Sequence, residues 1–137
     1  MDNTEETLFI ISLGSNSGPS ELQIRDAVSW LSDNFELVGV SEIYRTEPVG
    51  HAKGIYYNAV AAIRAILSAG ELDNRLKIYE VSKGRDDGAR ERGDVPIDLD
   101  IVLADDKVLR EWEYNQEFFQ RGFRQLNTVS PYDKDNP

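Results

Sequence analysis

The chain has 137 residues, enough for one domain with a real core and too few for two. Its formal net charge of −10 argues against nucleic acid or an anionic membrane as the main partner, and makes any gathering of basic residues informative. There is no cysteine and a single histidine, His51, which excludes disulfides, thiolate zinc sites, cysteine nucleophiles and multi-histidine metal centres. The opening MDNTEETL is acidic without the apolar core of a signal peptide, and no apolar run is long enough to cross a bilayer. The expected compartment is the cytoplasm.

Residues 2–6 are polar and read as a frayed start, followed by a short apolar run, Leu8 to Leu13, that suits a buried central strand ending at Gly14. After a turn-rich loop, Ser20 to Gln23 has the spacing of a helix capping box. Ile24, Ala27, Val28 and Leu31 then recur as one apolar helical face, ending near Ser32 to Asn34. Phe35 to Tyr44 alternates as a second strand, with Gly39 as a candidate bulge. Thr46 to Ile55, with one proline and two glycines, reads as a loop of functional length. Tyr56 to Leu67 reads as a third strand, because a fresh capping box at Ser68 to Glu71 opens a second helix just after it. That helix places Leu72, Leu76 and Tyr79 on one face and stops near Gly84.

Residues 85–96 are charged, hold two glycines and show no apolar period, so they are expected to form a mobile loop. A fourth strand starts at Asp98, with a turn at Asp105-Asp106 into a short strand at Lys107 to Leu109. Helix is expected around Glu113 to Gln120, and the polar tail Ser130 to Pro137 is expected to be disordered. The order β-α-β-β-α-β is the split β-α-β arrangement, so the expected class is α+β, ferredoxin-like, with helices on one face of an antiparallel sheet.

The stretch Asp98-Leu99-Asp100-Ile101-Val102-Leu103 is the chemical centre of this pattern. Side chains alternate along a strand, so Asp98 and Asp100 share one face, while Leu99, Ile101 and Leu103 are expected on the other. Two carboxylates so placed suit a hard cation such as Mg²⁺, which can clamp nucleotide phosphates. A lone D-x-D is more often a solvated acidic edge. The parts elsewhere in the chain decide between these meanings.

Those parts are Gly14-Ser15-Asn16, Tyr44-Arg45-Thr46-Glu47-Pro48-Val49-Gly50, Tyr56-Tyr57-Asn58-Ala59, Glu80 to Arg85, Asp98-Leu99-Asp100 and Arg121-Gly122-Phe123. Each is weak alone. In this order and spacing, from about Leu8 to Phe123, they resemble the 6-hydroxymethyl-7,8-dihydropterin pyrophosphokinase family. The resemblance implies transfer of pyrophosphate from ATP to a pterin alcohol, with AMP as the leaving product, in folate biosynthesis. It implies that Asp98 and Asp100 hold two Mg²⁺ ions and are catalytic, together with Arg85. It implies pterin contacts from Thr46, Val49, Gly50, Tyr56, Asn58 and Phe123, and nucleotide contacts from Glu80, Arg85, Ile101 and Arg121. A monomer or weak homodimer is expected.

The chain departs from the family pattern at three places. The family's arginine three residues before the first aspartate is Val95 here, and the charged loop has no aromatic; Arg92 is the nearest basic residue that can stand in. Tyr114-Asn115 lies where a Pro-His pair is usual, and the sequence stops soon after Phe123. Taken singly, each site residue also has a plain structural meaning: Tyr56 and Phe123 as half-buried aromatics, Asn58 as a bulge bridge, Glu80 as a solvated helix residue, Arg85 as a partner of Asp86 or Asp87. The residues leave three readings open: an active pyrophosphokinase, a relative that binds pterin or nucleotide or serves as a regulatory partner without turnover, and, last, an unrelated ferredoxin-like interaction domain, which leaves the motif order unexplained.

Overall fold

The computed structural model describes residues 5–47 and 54–129. Expectations for the residues before Glu5, for Val49, Gly50 and His51, and for the tail beyond Val129 lie outside the described residues. The apolar run near the N-terminus forms β1 (Thr7–Ser15), which is flanked on both sides by antiparallel partners and is buried on both faces. Its partners are β4 (Tyr56–Ala65) and β5 (Asp98–Ala104). With β2 (Glu36–Val40), β3 (Tyr44–Thr46) and β6 (Lys107–Val108) the sheet runs β2-β4-β1-β5-β6, and β3 also pairs with β4. The four long strands therefore lie in the order second, third, first, fourth, the ferredoxin-like split β-α-β arrangement.

Parity decides which helix covers which face. Phe9, Ile11, Leu13, Ala59, Ala61, Ile63, Leu99 and Ile101 form one core with Ile24, Ala27 and Leu31 of α1 (Ser20–Asn34) and Leu72, Leu76 and Tyr79 of α2 (Ala69–Ser82). Ile10, Val60, Ala62 and Val102 face the other way and are covered by Phe119 and Leu126 of α5 (Glu117–Val129). The two expected helices share one face, and α5 adds a layer on the opposite one. Leu103 belongs to this second core rather than to the face of Leu99 and Ile101. Ile10 pairs with Leu103 while Ile11 pairs with Ile101, so Val102 is an extra residue that flips the alternation.

Other local departures have equally local causes. The capping box expected at Ser20 does not form: Pro19 is the N-cap residue and no side chain caps the helix. The Ser68 box does form, Ser68 Oγ accepting from Glu71 N at 3.1 Å and Glu71 Oε1 accepting from Ser68 N at 2.8 Å. The β2–β4 register slips between Leu37 and Gly39, where Gly39 marked a bulge. The strand expected over Phe35 to Tyr44 breaks at Ser41. There the Ser41 N–H donates to Val60 O, while its hydroxyl, in place of a carbonyl, accepts from Val60 N at 2.9 Å. Within the charged loop, Asp86 caps a short helix, α3 (Asp87–Arg92), that ends at Gly93 with φ +76°. Beyond β6, helix runs over α4 (Glu111–Tyr114) and α5 rather than one segment around Glu113 to Gln120. No described helix is long and apolar enough to cross a membrane.

The rotation of α5 is fixed at one point. Tyr44 Oη accepts from Gly122 N at 3.0 Å and donates to Phe118 O at 2.5 Å, so a hydroxyl from β3 enters the backbone ladder of the helix. A Cβ at Gly122 would lie 2.6 Å from both that hydroxyl and Val60 Cγ2. Glycine is what lets the helix come this close. Gly122→Ala is expected to lower stability by about 1–3 kcal/mol, the usual range for overpacking, as read by urea unfolding.

Candidate active site

One pocket of about 220 Å³ opens where α5 leaves the sheet face uncovered. Its floor is a set of even-numbered residues on neighbouring strands: Ser12 and Gly14 of β1, Tyr56 and Asn58 of β4, Asp98 and Asp100 of β5. Gly14 pairs with Asn58 on one side and Asp98 on the other, and Ser12 pairs with Asp100. A Cβ on Gly14 would come within 3.1 Å of Asn58 Oδ1 and 3.7 Å of the Tyr56 ring, so glycine keeps this floor open. Thr46 and Glu47 close one side; Thr46 Oγ1 accepts from Asn58 Nδ2 and so orients the amide. Arg110, Trp112, Glu113 and Phe118 form the other wall.

What holds the two aspartates in place is the open edge of β5. Along a strand, a residue's N–H and C=O point to the same side, and those of Leu99 point away from β1, where β6, paired only at Leu103 and Ala104, does not reach. Two side chains of α2 replace that strand. Glu80 Oε2 accepts from Leu99 N at 2.7 Å, and Lys77 Nζ donates to Leu99 O at 2.9 Å. The same two groups reach the carboxylates on either side: Lys77 Nζ lies 3.2 Å from Asp100 Oδ1, while Glu80 Oε1 lies 3.0 Å from Arg85 Nη1, which lies 2.6 Å from Asp98 Oδ1. Asp98-Leu99-Asp100 is thus gripped through both backbone and side chains.

Asp98 and Asp100 respond oppositely to this setting. Burial and then the charge of Asp100 push the Asp98 carboxyl up to about 6 against the pull of Arg85. Burial also acts on Asp100, but the charges of Lys77 and Arg110 outweigh it and hold that carboxyl below its ordinary value. Glu113, buried and close to Asp100, is pushed up to about 7 although Arg110 is its ion-pair partner. Burial and Asp98 raise the Tyr56 phenol. Two facing carboxylates that resist simultaneous charging are a donor set that a divalent cation relieves. Among the described residues no group of three or more His, Cys, Asp or Glu is placed to hold a metal ion by itself. The pair fits Mg²⁺ in the manner usual for that ion, one or two carboxylates with substrate phosphates completing the shell.

Of the residues singled out from sequence, Thr46, Tyr56, Asn58, Asp98 and Asp100 meet in this pocket. Glu80 is buried beneath it as the Leu99 clamp, and Arg85 reaches it through Asp98. Ile101 packs in the α1–α2 core, on the sheet face away from the pocket. Arg92 is exposed and pairs with Asp94 at 2.9 Å, outside the pocket lining. Arg121 lies over the Tyr44 ring at 4.6 Å, and Phe123 packs into the second core; neither lines the pocket. Val95 is pinned by Asn16, whose Oδ1 accepts from Val95 N at 2.6 Å and whose N–H donates to Val95 O at 2.9 Å. Sequence reading missed Lys77, Arg110, Trp112, Glu113 and Phe118. Only Lys77 carried a signal, standing one helical turn before Glu80.

The raised carboxyls make stability depend on pH. Between about pH 4 and 7 the folded chain holds protons on Asp98 and Glu113 that the unfolded chain, at 3.8 and 4.5, releases. Stability from these groups therefore falls as pH rises through that window. Urea midpoints measured across it are expected to decline toward neutrality, and Asp98→Asn or Glu113→Gln to flatten the decline.

The model of the 7,8-dihydro-6-hydroxymethylpterin-pyrophosphokinase family matches residues 10–128. The chain is 34% identical over 125 residues to the "Folate synthesis bifunctional protein" of Arabidopsis thaliana, covering 80% of this chain and 26% of that protein. It is 32% identical over 110 residues to the "Folic acid synthesis protein fol1" of Schizosaccharomyces pombe, 78% of this chain and 15% of that protein. It is 35% identical over 96 residues to the "2-amino-4-hydroxy-6-hydroxymethyldihydropteridine pyrophosphokinase" of Bacillus subtilis, 68% of this chain and 57% of that one. The chain thus spans less than two thirds of the length of each of these relatives.

Proposed function

Because this chain belongs to the 7,8-dihydro-6-hydroxymethylpterin-pyrophosphokinase family, we propose that it transfers the pyrophosphoryl group of ATP to the hydroxymethyl oxygen of 6-hydroxymethyl-7,8-dihydropterin, in folate synthesis in the cytoplasm. The observation that carries this reading is the meeting of Asp98 and Asp100 with Asn58, Thr46 and Tyr56 in one pocket. A carboxylate pair for metal-bound phosphates and an aromatic and amide set for a flat polar ring lie on β5 and β4, the strands on either side of β1, as transfer between two bound substrates requires.

The new bond joins the pterin oxygen to the β-phosphorus of ATP. The bond that breaks leaves the bridging oxygen on AMP, and the hydroxyl proton passes to solvent. Mg²⁺, as two ions with ATP, would supply charge neutralisation across the phosphates from Asp98 and Asp100. The chain's own residues do the rest. Asn58, turned by Thr46, offers its amide to the ring edge, and Tyr56 gives the ring an apolar surface. Arg85 and Arg110 are the guanidinium groups nearest the aspartates in charge and position, and keep positive charge at the phosphates where Val95 supplies none. Phosphoryl-type transfer depends on such placement more than on a strong base, so a pocket whose described residues include no histidine is adequate.

The reading separates two binding events. Calorimetric titration of Asp98→Asn and Asp100→Asn is expected to show at least about tenfold weaker Mg²⁺-dependent binding of a non-hydrolysable ATP analogue, with the melting temperature retained or raised in Asp98→Asn and lowered in Asp100→Asn, where Lys77 loses its partner. Asn58→Ala is expected to weaken the pterin and spare the nucleotide. Aspartate variants that bind the Mg²⁺ nucleotide as the wild type does would refute the assignment of the site.

A further inference from the structure

Resting on the proposed function, we propose that Ser12 is a positioning residue for the cation at Asp100, its hydroxyl holding a water that the ion retains. The observation behind this is an unpaired hydroxyl. The other buried polar side chains among the described residues all have partners within the chain. Ser15 Oγ donates to Ser17 O; Ser41 Oγ donates to Glu42 O and accepts from Val60 N. Asn58 is bonded to Thr46, Glu80 to Leu99 N, Asp100 to Lys77 and Glu113 to Arg110. Ser12, 6% exposed, has no such partner for its side chain among the described residues. A hydroxyl so placed gives up its bonds to water and gains none in return. Packing does not call for it. On the same face of β1, Ile10 belongs to the second core, and so does Val60, which pairs with Ser12 from β4. Alanine would fill the place of Ser12 at lower cost to the fold.

The hydroxyl is placed instead for the pocket. Ser12 lines it, and its partner across the β1–β5 ladder is Asp100. Side chains directly opposite on antiparallel strands stand about 5 Å apart at Cβ, near enough to share one ligand. The other polar groups around Asp100 are already engaged: Lys77 Nζ also donates to Glu80 and Leu99 O, and Arg110 and Glu113 hold each other. A serine oxygen is one bond beyond Cβ and carboxylate oxygens are two. An ion at the tip of Asp100 therefore stands past the direct reach of Ser12, and a water of its shell spans the difference. Mg²⁺ gives up its waters reluctantly and polarises those it keeps, which makes them strong donors to a hydroxyl oxygen. Groups one step removed from an ion in this way set metal affinity. The uncompensated hydroxyl is then a small loss of stability retained for the site.

The test is calorimetric titration of a non-hydrolysable ATP analogue into full-length wild type, Ser12→Ala and Ser12→Thr over a series of Mg²⁺ concentrations, with thermal melting in the absence of metal. Ser12→Ala is expected to raise the Mg²⁺ concentration that half-saturates nucleotide binding about tenfold, with melting retained or raised. Ser12→Thr, which keeps the hydroxyl, is expected to restore the wild-type requirement. An unchanged Mg²⁺ requirement in Ser12→Ala overturns the inference and leaves the functional reading standing. So does a lowered melting temperature or failure to fold in Ser12→Ala, which would make Ser12 a packing residue, and so does a Ser12→Thr that melts as wild type yet matches Ser12→Ala in its Mg²⁺ requirement. A wild type without Mg²⁺-dependent nucleotide binding overturns both.

Discussion

The site depends on how one residue without chemistry, Leu99, satisfies its backbone. It lies on the stretch of β5 that β6 does not reach, its side chain buried, with an N–H and a carbonyl directed where no strand pairs. A buried pair of this kind must find partners or cost several kcal/mol. Glu80 and Lys77 meet it from α2, and their remaining valences reach Arg85 and Asp100. One backbone requirement thereby sets the spacing of helix and strand, the attitude of the two aspartates and the position of the nearest cations. Removing a single charge from such a buried network leaves others uncompensated, which is why these residues act as a unit.

That arrangement also explains the uneven charge of the two aspartates. Asp100 sits under Lys77 and Arg110 and stays ionised; Asp98 has Arg85 but faces the field of Asp100 and holds its proton to about 6. The chain as a whole is strongly acidic, yet three of its basic side chains gather at this carboxylate pair. A pocket so balanced can receive a metal-bound polyphosphate without large net repulsion of either sign.

Much of this was legible in the sequence because period-two alternation fixes faces. Asp98 and Asp100 on one face, Asn58 and Tyr56 on another strand, and Gly14 between them follow from parity once the strands are placed. Parity failed at Leu103, where one inserted residue at Val102 reversed it, a backbone event with no marker in residue type. It was also silent on α4 and α5. The segment from Arg110 to Phe118 has no clear apolar period of its own, and its place over the pocket is decided by Tyr44 and Gly122, residues far apart in the chain. Arg92 was read as the basic residue nearest Val95 and Arg121 from its motif, but position does not tell whether a long side chain turns to the pocket or to Asp94 and Tyr44.

The measurement that bears most directly on the central claim is AMP formation from ATP with and without 6-hydroxymethyl-7,8-dihydropterin at saturating Mg²⁺. The account requires AMP that appears only with the pterin alcohol, in amounts equal to the pterin diphosphate formed. ATP left intact by folded protein that binds both substrates, or ADP in place of AMP, would contradict it.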